Sequence, residues 1–279
     1  MAVSQLSVQP LLESESVALR DVVCGGECKH ESTEECAELT YLVFPYRGVY
    51  VRHLGGDDAV AEANQVLFFN ADEGYRVSHP LVGGDACLSL WVTEPVVREL
   101  APKTQLREGA PLAFRRQRLR IDARAQVLVA LLPHGLRRKA VDTLQAETLV
   151  LTLVRRSLGE RTSHAAGASA GRQKLVDRAK LALSTDLGRR WTLAEIAREV
   201  GVSPVYLTQV FQQVEGMPLY RYHLHLRLAR ALDLVAERED LSGLAQDLGF
   251  SSHSHFSAAF RQLYGRSPSE FAKDFDSRR

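Results

Sequence analysis

A helical pattern that occurs twice constrains this chain more than any other feature. Leu193, Ile196, Ala197 and Val200 fall at helical spacing, and so do Leu241, Leu244, Ala245 and Leu248 forty-eight residues later. Each run stops at a glycine, Gly201 or Gly249, which supplies the tight backbone that ends one helix and turns the chain. A serine able to cap the next helix follows: Ser203 with Pro204 behind it, and Ser251 or Ser252 in the second copy. The helix after each turn buries Leu207, Val210, Phe211 and Val214, or Phe256, Ala259, Phe260 and Leu263 at an offset of forty-nine, and ends at Gly216 or Gly265. Helix, short glycine turn, helix, present twice, predicts two helix-turn-helix units.

In such a unit the second helix enters the major groove and the first crosses the backbone. The apolar faces then determine which residues look outward. On the first probe helix these are Val205, Thr208, Gln209 and Gln212; on the second they are Ser254, Ser257, Ala258 and Arg261. Gln209 and Gln212 suit adenine, Arg261 suits guanine or phosphate, and Val205 suits a thymine methyl, which leaves the second probe poorer in base readers. A helix from about Pro218 to Glu237, with Leu224, Leu228, Ala231 and Val235 spaced for burial, joins the two units rigidly. Arg221, Arg227 and Arg230 on it are candidate phosphate contacts. Two probes on one rigid body would address successive major grooves, roughly 34 Å apart.

Charge would not have identified a DNA binder. The net charge is only +1, and from Arg172 onward 16 Lys plus Arg face 13 Asp plus Glu, against 19 and 21 in the remainder. The clearest boundary is the small-residue stretch Ser163 to Gly171, which reads as a linker. Upstream of it, Leu39 to Phe44, Val49 to Leu54, Val66 to Phe69 and Leu88 to Val92 alternate with turn signals rich in Gly and Asp. They predict an antiparallel sandwich or small barrel. Two helical patterns follow, Ile121 to Leu132 and Lys139 to Leu158, separated by Pro133-His134-Gly135. The second carries Val141, Leu144, Thr148, Leu151 and Leu158 on one broad face, fit for packing within the domain and, as a second role, for joining two subunits.

The C-terminal segment resembles the AraC/XylS transcription regulators. The match lies in Ala245-Gln246-Asp247-Leu248-Gly249-Phe250, Ser254-His255-Phe256-Ser257, Phe260-Arg261-Gln262-Leu263-Tyr264-Gly265 and Ser267-Pro268-Ser269-Glu270-Phe271, and it extends over about Lys174 to Phe275. The resemblance implies binding to double-stranded promoter DNA and activation through contact with RNA polymerase. It also implies an N-terminal cupin-like barrel that takes a small-molecule effector, and a helical pair that makes a homodimer. Family members often carry arginine where this chain has Ala258, which shifts its second probe toward backbone positioning. The expected fold is therefore multidomain α+β. A cupin-like antiparallel β-barrel sensor spans 1–105, a helical dimerisation element 106–162, a linker 163–173, and an all-α DNA-binding domain with two helix-turn-helix units 174–279.

The upstream half carries one unusual cluster, Cys24, Cys28, His30 and Cys36, with His79 and Cys87 as further candidates from the sheet. These are donors for zinc or another thiophilic metal. They are also the material of a reversible disulfide, or plain buried thiols, and the three readings stand open. Tyr41, Tyr50, His53, Tyr75 and Trp91 are candidate effector contacts. A competing function keeps the DNA reader and makes the N-terminal domain an enzyme of metal-dependent or thiol-transfer type; a third makes it purely structural. No phosphate loop, HExxH pair or nucleophile elbow supports catalysis, so a non-enzyme is expected. The start Met1-Ala2-Val3-Ser4-Gln5 lacks the pattern of a secretory signal, and no apolar run is long enough to span a bilayer; a cytoplasmic protein without a membrane partner is expected.

Overall fold

The computed structural model describes residues 6–26, 30–109, 111–159 and 169–276, without the side chains of 274–276. The chain divides into two units, Met1–Ser163 and His164–Arg279. Most of the stretch expected as a linker lies outside the described residues, and the first helix of the second unit begins inside it, at Ala170.

Period-2 alternation builds the first unit. Its strands are β1 (Leu6–Glu13), β2 (Val17–Cys24), β3 (Glu35–Cys36), β4 (Tyr41–Arg47), β5 (Tyr50–Leu54), β6 (Asp57–Ala61), β7 (Gln65–Phe69), β8 (Gly74–Ser78), β9 (Asp85–Val92) and β10 (Arg118–Arg120). They pair as a six-stranded sheet, β1-β2-β9-β4-β7-β10, and a four-stranded sheet, β3-β8-β5-β6, all antiparallel. The strands thus form two sheets, the sandwich alternative of the sequence reading; β10, the last strand of the larger sheet, has three residues and pairs with β7.

The inner strands β4, β7 and β9 of the larger sheet are buried on both faces, and the parity of each strand sorts its residues. Val17 and Leu19, Leu42 and Phe44, Val66 and Phe68, and Leu88, Leu90 and Val92 enter one core with the helices; Val43, Leu67, Phe69 and Cys87 enter another with Tyr50, Ala61 and Tyr75 of the smaller sheet. After α1 (Glu94–Leu100), two helices cover the first of these faces: α2 (Ala123–Arg137), capped by Asp122, and α3 (Thr143–Leu158), opened by a capping box of Asp142 and Gln145.

Both helices depart from expectation. α2 runs through Pro133 instead of breaking there; Pro133 is buried, and the interruption comes at Lys139, which has a positive φ. α3 turns Ala146, Val150, Leu153, Val154 and Leu158 to the core, whereas Leu144 is 73% exposed and Thr148 also faces outward. Thr148 returns its hydroxyl to the Leu144 carbonyl, which is how a threonine sits on a solvated helix face.

The second unit is wholly helical among its described residues: α4 (Ala170–Ser184), α5 (Leu193–Glu199), α6 (Pro204–Glu215), α7 (Leu219–Leu234), α8 (Leu241–Asp247), α9 (His253–Tyr264) and α10 (Pro268–Asp276). One core gathers α4, α5, α6 and the start of α7 around Val176, Leu183, Ile196, Leu207, Phe211 and Tyr222. Of the residues spaced for burial, Leu228 and Ala231 in α7 and Val235, which caps its end, are buried as expected, but Leu224 is only half-buried. Around the second turn Phe250, Phe256, Phe260 and Phe271 form a run of aromatic contacts, the first tilted and the next two edge-on, at centroid distances of 5.1, 5.8 and 5.9 Å.

Candidate nucleic-acid interface

Each probe helix is positioned by the same local chemistry. Thr192 and Glu195 form a capping box that starts α5, and the Thr192 backbone and hydroxyl, with Arg189, hold the Glu195 carboxyl down at about 2. α5 ends in a turn at Gly201, where φ is +73°, and Ser203 Oγ then accepts from the Tyr206 backbone N–H to cap α6. In the second copy Asp240 caps α8, Gly249 turns the chain at a φ of +75°, and Ser252, rather than Ser251, caps α9 by accepting from the His255 N–H. Ser251 instead bonds the His255 ring at 3.1 Å, and His253 is the first residue of α9, so both histidines serve the helix start.

The core-facing set of α6 is Leu207, Val210, Phe211 and Val214, all buried; on α9 Phe256 and Phe260 are buried, while Ala259 and Leu263 are half-buried. This leaves Val205, 68% exposed, and Thr208, Gln209 and Gln212 on the outer face of the first probe. Thr208 spends its hydroxyl proton on the Pro204 carbonyl, so only its lone pairs and methyl remain for a partner. On the second probe Ser254, Ala258 and Arg261 are exposed and Ser257 is half-buried beside the His253 ring. Arg261 lies 3.4 Å from Glu270 of α10, an exposed pair that a phosphate or guanine could displace.

The three arginines of α7 separate. Arg221 is exposed. Arg230 is paired with Asp233 one turn along the helix. Arg227 is half-buried and engages a loop: its Nε donates to the Leu187 carbonyl at 2.6 Å and its Nη2 to the Arg189 carbonyl at 2.7 Å. Burial, and next the Arg190 charge, hold this guanidinium below its usual pKa. Its role is to pin the loop between α4 and α5, a role that spacing on α7 alone could not reveal.

Among the described residues of the first unit the metal-or-redox candidates do not gather in one loop. Cys36 and His30 are exposed, Cys28 lies outside the described residues, and Cys24, Cys36 and Cys87 form no disulfide with one another. Cys24 and His79 come together, with Asp85 as a third group that the sequence reading did not single out. Cys87 is buried between the sheets, where burial and next the Asp85 charge push its thiol well up.

The effector candidates also divide. Tyr41, Tyr50 and Tyr75 face the space between the sheets, together with fully buried Arg52, which donates to the Phe68 carbonyl at 2.6 Å and lies 4.1 Å from the Phe69 ring centroid. His53 bonds Asp58 and Ser78, and Trp91 is half-buried. No helix of the described residues is long and apolar enough to cross a membrane.

Two capped, glycine-turned helix pairs with polar outer faces define a helix-turn-helix DNA-binding module. The family model described as "Helix-turn-helix domain" matches residues 196–274. The chain is 32% identical over 160 residues to the protein described as "Probable transcriptional regulator LumQ" of Photobacterium leiognathi, covering 54% of this chain and 60% of that one. It is 24% identical over 267 residues to an AraC-like transcription regulator of Streptomyces antibioticus, covering 94% and 81%. A crystal structure of an AraC-type regulator from Chromobacterium violaceum has 30% identity over 38% of this chain and 96% of its own, with a TM-score of 0.36. The chain spans less than two thirds of the length of LumQ. Its C-terminal unit is a member of the AraC family of helix-turn-helix domains.

Proposed function

We propose that the chain is a sequence-specific transcription regulator, an activator that engages promoter DNA with α6 and α9 and contacts RNA polymerase. The observation that carries this reading is the outward set Val205, Gln209, Gln212 and Arg261 on two separately capped helices joined by one rigid α7. Amides and a guanidinium at the exposed positions of groove-sized helices are the groups that read adenine and guanine edges. The first probe supplies base recognition; the second, with Ala258 at its centre, supplies mainly backbone positioning.

The N-terminal unit acts as the sensor, for a small molecule, a metal or a thiol-redox signal. Tyr41, Tyr50, Arg52 and Tyr75 between the sheets support this, being a polar and aromatic set more elaborate than a purely structural core needs. The α2–α3 pair makes a homodimer through the outward face of α3, where Leu144 is exposed.

Selection of sites from a random duplex pool by the full chain, followed by footprinting, tests the reading. The expected result is a defined motif protected in two patches one helical turn apart on one face of the DNA. Binding with no preference over competitor DNA overturns it.

A further inference from the structure

Cys24, His79 and Asp85 bring a sulfur, an imidazole nitrogen and a carboxylate oxygen within 4.8 Å of one another, and all three residues are buried. The strand register produces the cluster. Cys24, the last residue of β2, pairs directly with Asp85, the first residue of β9, so their side chains share a face of the larger sheet. Cys87, two residues along β9, lies in the core between the sheets, which makes that shared face the inner one. His79 arrives from the other sheet, one residue beyond the end of β8, and its Nε2 is 3.0 Å from Asp85 Oδ2.

The backbone around the cluster is packed too closely for any residue but glycine. A Cβ on Gly84 would lie 2.3 Å from the Cys24 carbonyl oxygen, and one on Gly48 would lie 2.1 Å from the Gly84 carbonyl oxygen and 2.8 Å from Asp85 Cα. Both glycines also have positive φ. Short side chains on backbone clamped in this way form a preorganised donor set, unlike a patch of long surface carboxylates.

We propose that Cys24, His79 and Asp85 bind one divalent transition-metal cation of the zinc class. A thiolate, an imidazole and a carboxylate together suit zinc and exclude the all-oxygen preference of magnesium and calcium. Tetrahedral zinc, with arms of about 2.0–2.3 Å, needs ligand atoms roughly 3.3–3.7 Å apart, so separations from 3.0 Å up to 4.8 Å close onto an ion by small side-chain rotations. On binding, the Cys24 thiol releases its proton to solvent, and the thiolate and carboxylate charges neutralise the dication, the condition for keeping charge buried. Water completes the fourth position. Cys36 and His30, exposed elsewhere on the unit, take no part.

The site deepens the sensing reading of the N-terminal unit, and its test is run without DNA so that the two can fail separately. Full-length, tag-free protein is titrated with zinc against a chromophoric chelator, then with cobalt(II) followed by absorption. One equivalent should bind per chain, and the cobalt form should show a thiolate-to-metal charge-transfer band and tetrahedral d–d bands. Cys24→Ser and Asp85→Asn should each weaken zinc binding by more than the ~10–100-fold that loss of an outer-shell partner costs. Cys24→Ser should also lose the charge-transfer band, and Cys36→Ser should behave as the parent.

Thermal unfolding of each variant checks its fold; if Cys24→Ser does not fold, near-isosteric Asp85→Asn and the parent's cobalt spectrum decide. The proposal is overturned if the parent binds no stoichiometric metal, if its cobalt form lacks the thiolate band, or if Asp85→Asn binds as tightly as the parent. Zinc binding that leaves DNA affinity unchanged keeps the site and removes the sensing role.

Discussion

Lys180 Nζ lies 2.7 Å from Glu215 Oε1, and neither side chain has any solvent exposure. The pair joins the middle of α4 to the last residue of α6, so the C-terminal end of the first probe is held by a buried charge contact. Asp177 stands 4.0 Å from the same ammonium and the Tyr222 ring centroid 5.1 Å from it. Removing one partner strands a charge in the core. Lys180→Met is expected to destabilise the second unit by about 3–5 kcal/mol, and Lys180→Met with Glu215→Leu to recover most of that loss. Denaturant unfolding of the two variants measures the difference, and an equal cost in both would mean the charges do not act as a pair.

Two glycines at equivalent turns allow a matched comparison. Gly201 and Gly249 have φ of +73° and +75°, but a Cβ at Gly201 meets nothing within 4 Å, whereas one at Gly249 would lie 2.0 Å from the Gly188 carbonyl oxygen. Gly201→Ala should cost about 1–2 kcal/mol, the backbone term alone. Gly249→Ala adds a collision with the loop between α4 and α5 and should cost at least ~2 kcal/mol more. Hydrogen exchange across α8 and α9 reads the loss directly; similar protection in the two variants would mean that this loop and the second turn are not in contact.

Acid should loosen the same region. Burial, and next the Arg227 charge, hold His223 at about 4, while its Nε2 sits 3.2 Å from the Leu187 carbonyl. The folded state therefore binds fewer protons than the unfolded state between about pH 4 and 6.5, and stability falls as pH drops through that window. The loss attributable to this group should approach about 3 kcal/mol by pH 4. His223→Gln, which keeps a donor for the carbonyl, should flatten the pH slope; an unchanged slope would assign it to other groups.

The arginines of α7 should differ in kind. Arg221→Ala is expected to weaken binding to all duplexes alike and to lower the salt slope by about one. Arg227→Ala should instead lower the stability of the second unit, because it removes the charged donor that the Leu187 and Arg189 carbonyls share. Gln209→Ala should cost about 1–3 kcal/mol on the preferred site and relax preference at one base pair. Binding across a salt series with matched and mismatched duplexes separates the three.

The two helix-turn-helix units were legible in the chain because every signal for them is local. The spacing of Leu207, Val210, Phe211 and Val214, the caps at Ser203 and Ser252, and the glycines that end each helix act over one or two turns, within reach of sequence periodicity. Four strands, β4, β5, β7 and β9, announced themselves through β-rich runs and glycine turns for the same reason, whereas β1 and β2 did not. Helix faces were less secure: Leu144 reads as core by spacing yet points outward, since which side of α3 is buried depends on how it packs against α2 and the sheet.

Sequence alone thus determined the repeated helix-turn-helix, its capped ends and its outward residues, through short-range hydrogen bonding and periodic burial. Tertiary structure alone decided the order of the strands in the two sheets, that Arg227 serves a loop, that Lys180 meets Glu215, and that Asp85, not Cys36, stands beside Cys24 and His79. Those outcomes depend on strand register and on contacts between residues far apart in the chain, and no local pattern encodes which distant partner a side chain will find.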